Sequence, residues 1–66
     1  MNLIINGNTM AFNEKINIKD ILNKLEIEDK IFAITLNSTL VKKEEYNNTF
    51  PNNGDRIEFL QFMGGG

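Results

Sequence analysis

The sequence predicts an α+β fold in which one main helix packs across a mixed sheet of four to five strands. Apolar residues alternate with other residues at the start, in the middle and near the end of the chain, which is typical of strands. A single stripe of apolar residues at helical spacing lies between the first two of these regions. Because no linker or internal repeat interrupts the 66 residues, we expect one domain over 1–66.

The first element is a predicted β-hairpin. Leu3 and Ile5 alternate with their neighbours, as in a strand with one buried face. The segment 6–8, Asn-Gly-Asn, favours the positive φ angles of a tight hairpin turn. Residues 9–12 then form the predicted return strand.

The second element is a helix that begins after Asn17. An asparagine caps a helix N-terminus well, and Asp20 three residues later lies near the positive end of the helix dipole. The apolar stripe has the spacing i, i+3, i+4, i+7 and consists of Ile18, Ile21, Leu22 and Leu25. So short a helix is unstable alone and must pack on the sheet.

The remaining elements are strands and one loop. The alternation over residues 32–36 predicts a third strand that ends at an Asn-Ser turn. Leu40 and Val41 then predict a brief fourth strand. A short helical turn over 43–46 and a loop over 47–55 precede a last strand over 56–62. If the last strand lies parallel beside the first, the fold is a β-grasp, or ubiquitin-like, roll. Other α+β arrangements share the same order of elements.

Composition excludes several classes of function. The chain has no cysteine and no histidine, so thiolate metal sites and conventional hydrolase triads are excluded. A carboxylate pair could still do acid–base work, but a chain of 66 residues could hardly build a pocket around it. We expect no catalytic residues, no metal site and no bound cofactor, and a protein that is not an enzyme. A net charge of −2 argues against a nucleic-acid partner. No signal-like start or membrane-length apolar run is present, so we expect a cytoplasmic protein that does not bind a membrane.

The glycine run Gly64-Gly65-Gly66 directly follows an apolar strand. We interpret residues 63–66 as a flexible tail whose last carboxylate, on Gly66, does the chemistry, although a frayed terminus or a cloning scar would look the same. Activation as a mixed anhydride with AMP would let a sulfur nucleophile attack, giving a thiocarboxylate at Gly66. Without Cβ atoms, Gly64 and Gly65 can thread a narrow channel into a partner's active site.

A docking surface is predicted beside the tail. On the last strand, Ile57 and Phe59 share one face, which we assign to the core. Leu60 and Phe62 then lie on the other face and, with Ile4 of the first strand, form a candidate partner-docking patch. The alternatives are scattered surface hydrophobic residues or a one-residue error in the core face.

The residues as a whole resemble a known family. In four features together, the chain is similar to the sulfur carriers of thiamine biosynthesis, the ThiS family. These features are the short N-terminal hairpin, the segment Phe32–Asn37 followed by Val41, the segment Gly54–Ile57, and the terminal glycines. Members often carry Pro-Arg after the valine and a Trp soon after, where this chain has Lys42-Lys43 and Tyr46. This departure weakens the subfamily assignment and leaves the β-grasp expectation unchanged.

The resemblance implies a cycle of reactions. An adenylyltransferase related to ubiquitin-activating enzymes would use ATP and magnesium to form a transient acyl-adenylate at Gly66. Sulfur originating on a cysteine desulfurase would displace AMP, leaving 1-thioglycine, and the thiocarboxylate would then supply thiazole synthase. Gly65 and Gly66 match the family's ending, whereas Gly64 stands where small residues vary.

Three other functions remain open at this point. A related carrier supplies sulfur for molybdopterin and is usually longer than this chain. Another serves tRNA thiolation or protein tagging, again through Gly66. A non-covalent β-grasp binding module would use no such chemistry, and the acidic charge disfavours its RNA-binding form.

Overall fold

The computed structural model describes residues 1–13 and 15–61 as five strands, one α-helix and two 3₁₀ turns. In chain order the elements are β1 (Asn2–Ile5), β2 (Asn8–Ala11), α1 (Ile18–Leu25), a 3₁₀ turn (Glu28–Lys30), β3 (Ile31–Leu36), β4 (Thr39–Val41), a second 3₁₀ turn (Lys43–Glu45) and β5 (Arg56–Gln61). The sequence predicted each of these except the turn Glu28–Lys30.

The strands form one mixed sheet in the order β2-β1-β5-β3-β4. The last strand lies in the centre, parallel to β1 and antiparallel to β3. Ile5 is opposite Ile57 in the parallel pair, and Ile34 is opposite Phe59 in the antiparallel pair. This arrangement is the one that the order of elements left open, and it confirms the predicted β-grasp roll.

Two-residue turns close both hairpins. Asn6 and Gly7 have φ angles of 50° and 85°, and Asn37 and Ser38 have φ angles of 51° and 74°. Positive φ at both central residues defines a type I′ turn, whose twist matches that of the flanking strands. Asparagine suits the first position because it enters the left-handed region more readily than most residues.

The helix begins and ends as its sequence dictates. The side-chain Oδ1 of Asn17 accepts a hydrogen bond from the backbone N–H of Asp20 at 2.7 Å, so Asn17 is the N-cap. After Leu25, Glu26 adopts left-handed φ of 56° and donates its backbone N–H to Asn23 at 3.2 Å. The same Asn17 donates Nδ2 to the carbonyl of Asn47 at 3.1 Å, which ties the helix start to the loop before β5.

One hydrophobic core fills the space between the helix and the inner face of the sheet. Its fully buried members come from β1, α1, β3 and β5, so the core joins the central strands to the helix. The buried apolar residues are Leu3, Ile5, Phe12, Ile16, Ile18, Ile21, Leu22, Ile34, Tyr46, Ile57 and Phe59. The opposite face of the sheet, here called the outer face, carries no helix of the described chain.

Candidate docking face

The central strand β5 is the last described element and ends at Gln61. Phe62 and the predicted tail 63–66, with Gly64, Gly65 and Gly66, lie outside the described residues. The roles assigned to these residues therefore stay predictions. The structure instead defines the body to which they are attached and the face of β5 that precedes them.

The two faces of β5 differ sharply in exposure. Ile57 is fully buried and Phe59 is 8% exposed, so both belong to the core as the sequence predicted. Leu60 is 45% exposed and lies on the outer face together with Glu58. The one-residue error in the core face is thus excluded.

Leu60 is exposed because its cross-strand neighbour is small. It lies opposite Ala33 of β3, whose single methyl group covers little of the larger side chain. On the far strand of the same face, Leu40 of β4 is 63% exposed and lies opposite Thr35. The outer face therefore presents two separate exposed leucines, one of them next to the end of β5.

A polar contact borders Leu60 on the same strand. The hydroxyl Oγ1 of Thr35 donates to Oε1 of Glu58 at 3.3 Å, across the β3–β5 pair. The carboxylate thus lies two residues before Leu60 on the same face of β5. A partner that covers Leu60 would meet this negative charge at its edge.

The structure places Ile4 on the outer face at a distance from Leu60. Ile4 is half-buried and lies opposite Arg56, the first residue of β5. Leu60 is four residue steps along the strand from Arg56, about 13 Å at a rise of about 3.3 Å per residue. The two predicted patch residues share a face and are not neighbours, and Phe62 lies outside the described residues.

Hydrogen bonds from side chains hold both ends of β5, and the sequence interpretation missed them. At the start of the strand, Oδ1 of Asn37 accepts the backbone N–H of Arg56 at 2.9 Å. Nδ2 of Asn37 also donates to Oδ1 of Asp55 at 3.1 Å. Near the end, Oδ1 of Asn6 accepts the backbone N–H of Phe59 at 2.8 Å. Asparagine at the first position of each hairpin turn signalled the turn itself but not the strand beside it.

Neither a cluster of metal ligands nor a membrane-spanning helix occurs in the described part of the chain. Within residues 1–13 and 15–61, no group of three or more His, Cys, Asp or Glu side chains is arranged to hold a metal ion. Within the same ranges, no helix has both the length and the apolar character that crossing a membrane requires.

The fold and the outer face define a β-grasp domain with a glycine-rich extension after its central strand. The sequence model of the ThiS family matches residues 3–66. This chain belongs to the ThiS family.

Solved structures agree with this assignment. A crystal structure of the thiamine biosynthesis protein (ThiS) of Geobacter metallireducens superposes with a TM-score of 0.83 at 33% identity, covering 100% of both chains. A solution NMR structure of a thiamine biosynthesis protein of the same organism has a TM-score of 0.79 at 35% identity and covers 100% of this chain and 88% of that one.

Curated relatives differ in length from this chain. A thiazole synthase of Paramagnetospirillum magneticum is 32% identical over 66 residues, which are 100% of this chain and 20% of that protein. The chain thus spans only a fifth of the length of that relative. The uncharacterized protein ycf40 of Porphyra purpurea is 32% identical over 62 residues, covering 94% of this chain and 87% of that protein.

Proposed function

We propose that this chain is a sulfur carrier in thiamine biosynthesis, a protein co-substrate with no active site of its own. The observation that carries the proposal is the family match over residues 3–66, which includes the glycine run Gly64-Gly65-Gly66. Structures that resemble it at 33% and 35% identity over its whole length are described as thiamine biosynthesis proteins.

The proposed chemistry takes place at Gly66. Its carboxylate attacks the α-phosphorus of ATP, with magnesium supplied by the adenylyltransferase, and pyrophosphate leaves. The acyl-adenylate is a good electrophile because AMP is a good leaving group, whereas the oxygen of a free carboxylate is not. The outer sulfur of the desulfurase persulfide then attacks the acyl carbon and AMP leaves. A thiol, such as the free cysteine of the assay, reduces the resulting acyl disulfide, so that a thiocarboxylate stays on Gly66 and the thiol is oxidised to a disulfide. A chain without cysteine can carry sulfur in this way.

The glycine run and the folded body have separate tasks in this cycle. Residues 62–66, fully extended, reach at most about 17 Å, far enough to enter a partner's active site while the body stays outside. Ordering each glycine costs about 1–2 kcal/mol of backbone entropy, so the tail contributes little net affinity. Affinity must come from the body, and within residues 1–13 and 15–61 Leu60 on the outer face of β5 is the exposed large apolar side chain nearest in sequence to the tail.

The proposed partners follow from the cycle. They are an adenylyltransferase related to ubiquitin-activating enzymes, a cysteine desulfurase as the source of sulfur, and thiazole synthase as the acceptor. A relative described as a thiazole synthase contains a region similar to this whole chain, which supports the acceptor. We propose that the cycle takes place in the cytoplasm, where ATP is available.

Intact mass spectrometry tests the proposal. The purified chain is incubated with ATP, magnesium and the adenylyltransferase of its own organism, with and without the desulfurase and cysteine. We expect the mass of an adenylate first, and then the mass difference between sulfur and oxygen. A chain that gains neither mass with any adenylyltransferase of that organism contradicts the proposal and favours a binding module.

A binding experiment separates the possible acceptors. Immobilised chain is exposed to purified thiazole synthase and, separately, to the large subunit of molybdopterin synthase. We expect thiazole synthase to be retained and the other protein to pass through. Retention of the molybdopterin subunit alone would assign the chain to that pathway.

A further inference from the structure

The parallel pairing between β1 and β5 continues through a side chain after the β1 backbone has turned away. Ile4 donates its backbone N–H to the carbonyl of Asp55 at 2.9 Å, and Asn6 donates to the carbonyl of Ile57 at 2.9 Å. In a parallel ladder, the next bond would run from the N–H of Phe59 to the backbone carbonyl of Asn6. Instead, the Phe59 N–H is accepted by the side-chain Oδ1 of Asn6 at 2.8 Å.

The hairpin turn explains why the side chain of Asn6, and not its backbone carbonyl, accepts this hydrogen bond. Asn6 has a φ of 50° and is the first central residue of the type I′ turn, so its backbone leaves the sheet at this point. Its side-chain amide takes the position of the missing carbonyl and extends the ladder by one bond. Beyond Phe59, the described residues of β5 pair with β3 alone. Leu60 lies opposite Ala33 and Gln61 opposite Ile31, and the register of the two strands shifts between these two pairs.

We infer that Asn6 is a positioning residue for the reactive end of the chain, an inference that rests on the proposed function. Its bond to Phe59 is the last link from β1 to β5, two residues before the strand ends at Gln61. The bond therefore holds the last part of the described strand against the β1 hairpin, while β3 pairs with its other edge as far as Gln61. A misplacement of about 1 Å at a reacting group can cost up to about a hundredfold in rate.

The other hairpin supplies a matched control. Asn37 also has positive φ, 51°, at the first position of a type I′ turn, and its Oδ1 also accepts a backbone N–H of β5. That N–H belongs to Arg56, at the opposite end of the strand from Gln61. Loss of Asn37 removes a similar hydrogen bond and, in addition, its donation to Asp55, but only the bond of Asn6 is near the tail.

The experiment compares Asn6→Gly with Asn37→Gly in the 66-residue chain. Glycine adopts positive φ without strain, so each change removes the side-chain acceptor and spares the turn. Amide hydrogen exchange followed by NMR should show the Phe59 N–H exchanging about five- to tenfold faster in Asn6→Gly. The Arg56 N–H should respond in Asn37→Gly instead.

The functional readout is kcat/KM for adenylation by the adenylyltransferase, measured below the melting temperature of both variants. We expect a fall of about tenfold for Asn6→Gly and of less than about twofold for Asn37→Gly. Asn6→Asp keeps an oxygen acceptor at the same position, so it should restore both the protection of Phe59 and most of kcat/KM.

Equal losses in the two glycine variants, or an unchanged rate in Asn6→Gly, would overturn the positioning role while leaving the proposed function intact. If Asn6→Asp failed to restore the rate although Phe59 was again protected, the role of this bond in positioning would also be refuted. A wild-type chain that is not adenylated would overturn the proposed function, and this inference with it.

Discussion

Replacement of Leu60 by serine separates docking from folding, because this side chain is half-exposed. Full burial of a leucine contributes about 1.5–3 kcal/mol. Leu60 is 45% exposed, so a partner that covers the remaining surface gains about 0.7–1.4 kcal/mol. Leu60→Ser should therefore weaken binding to thiazole synthase by about three- to tenfold in Kd. Isothermal titration calorimetry with the purified synthase measures this change.

The same exposure limits the effect of the substitution on stability. Just over half of the Leu60 surface is buried within the folded chain, so the free energy of unfolding should fall by about 1 kcal/mol. A domain of this size has a net stability of about 3–5 kcal/mol, so the variant should stay folded at 25 °C. Circular dichroism during urea unfolding measures the loss in the same sample.

Leu40→Ser is the matched control for this prediction. Leu40 is also an exposed leucine of the outer face, at 63%, but it lies on the edge strand β4 and away from the end of β5. We expect its replacement to leave the Kd for thiazole synthase unchanged. Docking beside the tail is refuted if Leu60→Ser binds as tightly as the wild type, or if Leu40→Ser loses as much affinity as Leu60→Ser.

Three further predictions concern the body of the domain. Ile57→Ala empties a fully buried site of the core, so we expect a loss of about 2–5 kcal/mol in the free energy of unfolding, enough to unfold much of the chain by circular dichroism. Asn17→Ala removes the helix cap and should cost about 1 kcal/mol in urea unfolding, whereas Asn17→Ser should retain most of the stability. Burial raises the pKa of Tyr46 above its ordinary value, so the folded chain holds the phenol proton to a higher pH than the unfolded chain does. The stability that comes from this pKa difference is fully present below the pKa of Tyr46 in the unfolded chain and is lost as pH rises through its pKa in the folded chain. Ultraviolet titration of this single tyrosine should therefore give a lower midpoint pH in urea than in the folded chain.

Local patterns were sufficient to predict the five strands and the helix of this fold, but not the 3₁₀ turn Glu28–Lys30. The cap at Asn17 and the apolar stripe beginning at Ile18 predicted α1, because both signals lie within a few residues of each other. Alternation predicted that Ile57 and Phe59 face the core, which the structure confirms. The β-grasp arrangement followed only with the family resemblance, since the parallel pairing of β1 with β5 joins residues about fifty positions apart.

Register and side-chain hydrogen bonds were beyond the reach of the same patterns. The sequence placed Ile4 and Leu60 on one face, but only the observed pairing of Ile4 with Arg56 shows how far apart they lie. Asn6 and Asn37 were interpreted through their turn propensity alone. Their bonds to β5 depend on which strand lies beside each turn, and the residues within a turn carry no information about that neighbour.

In the proposed function, the acyl carbon of Gly66 carries the sulfur. Tandem mass spectrometry of the C-terminal peptide, after reaction with ATP, adenylyltransferase, desulfurase and cysteine, tests it most directly. We expect sulfur to replace oxygen at Gly66 and nowhere else, and a chain extended by one alanine to deliver no sulfur to thiazole synthase. Sulfur on any other residue, or normal delivery by the extended chain, would contradict it.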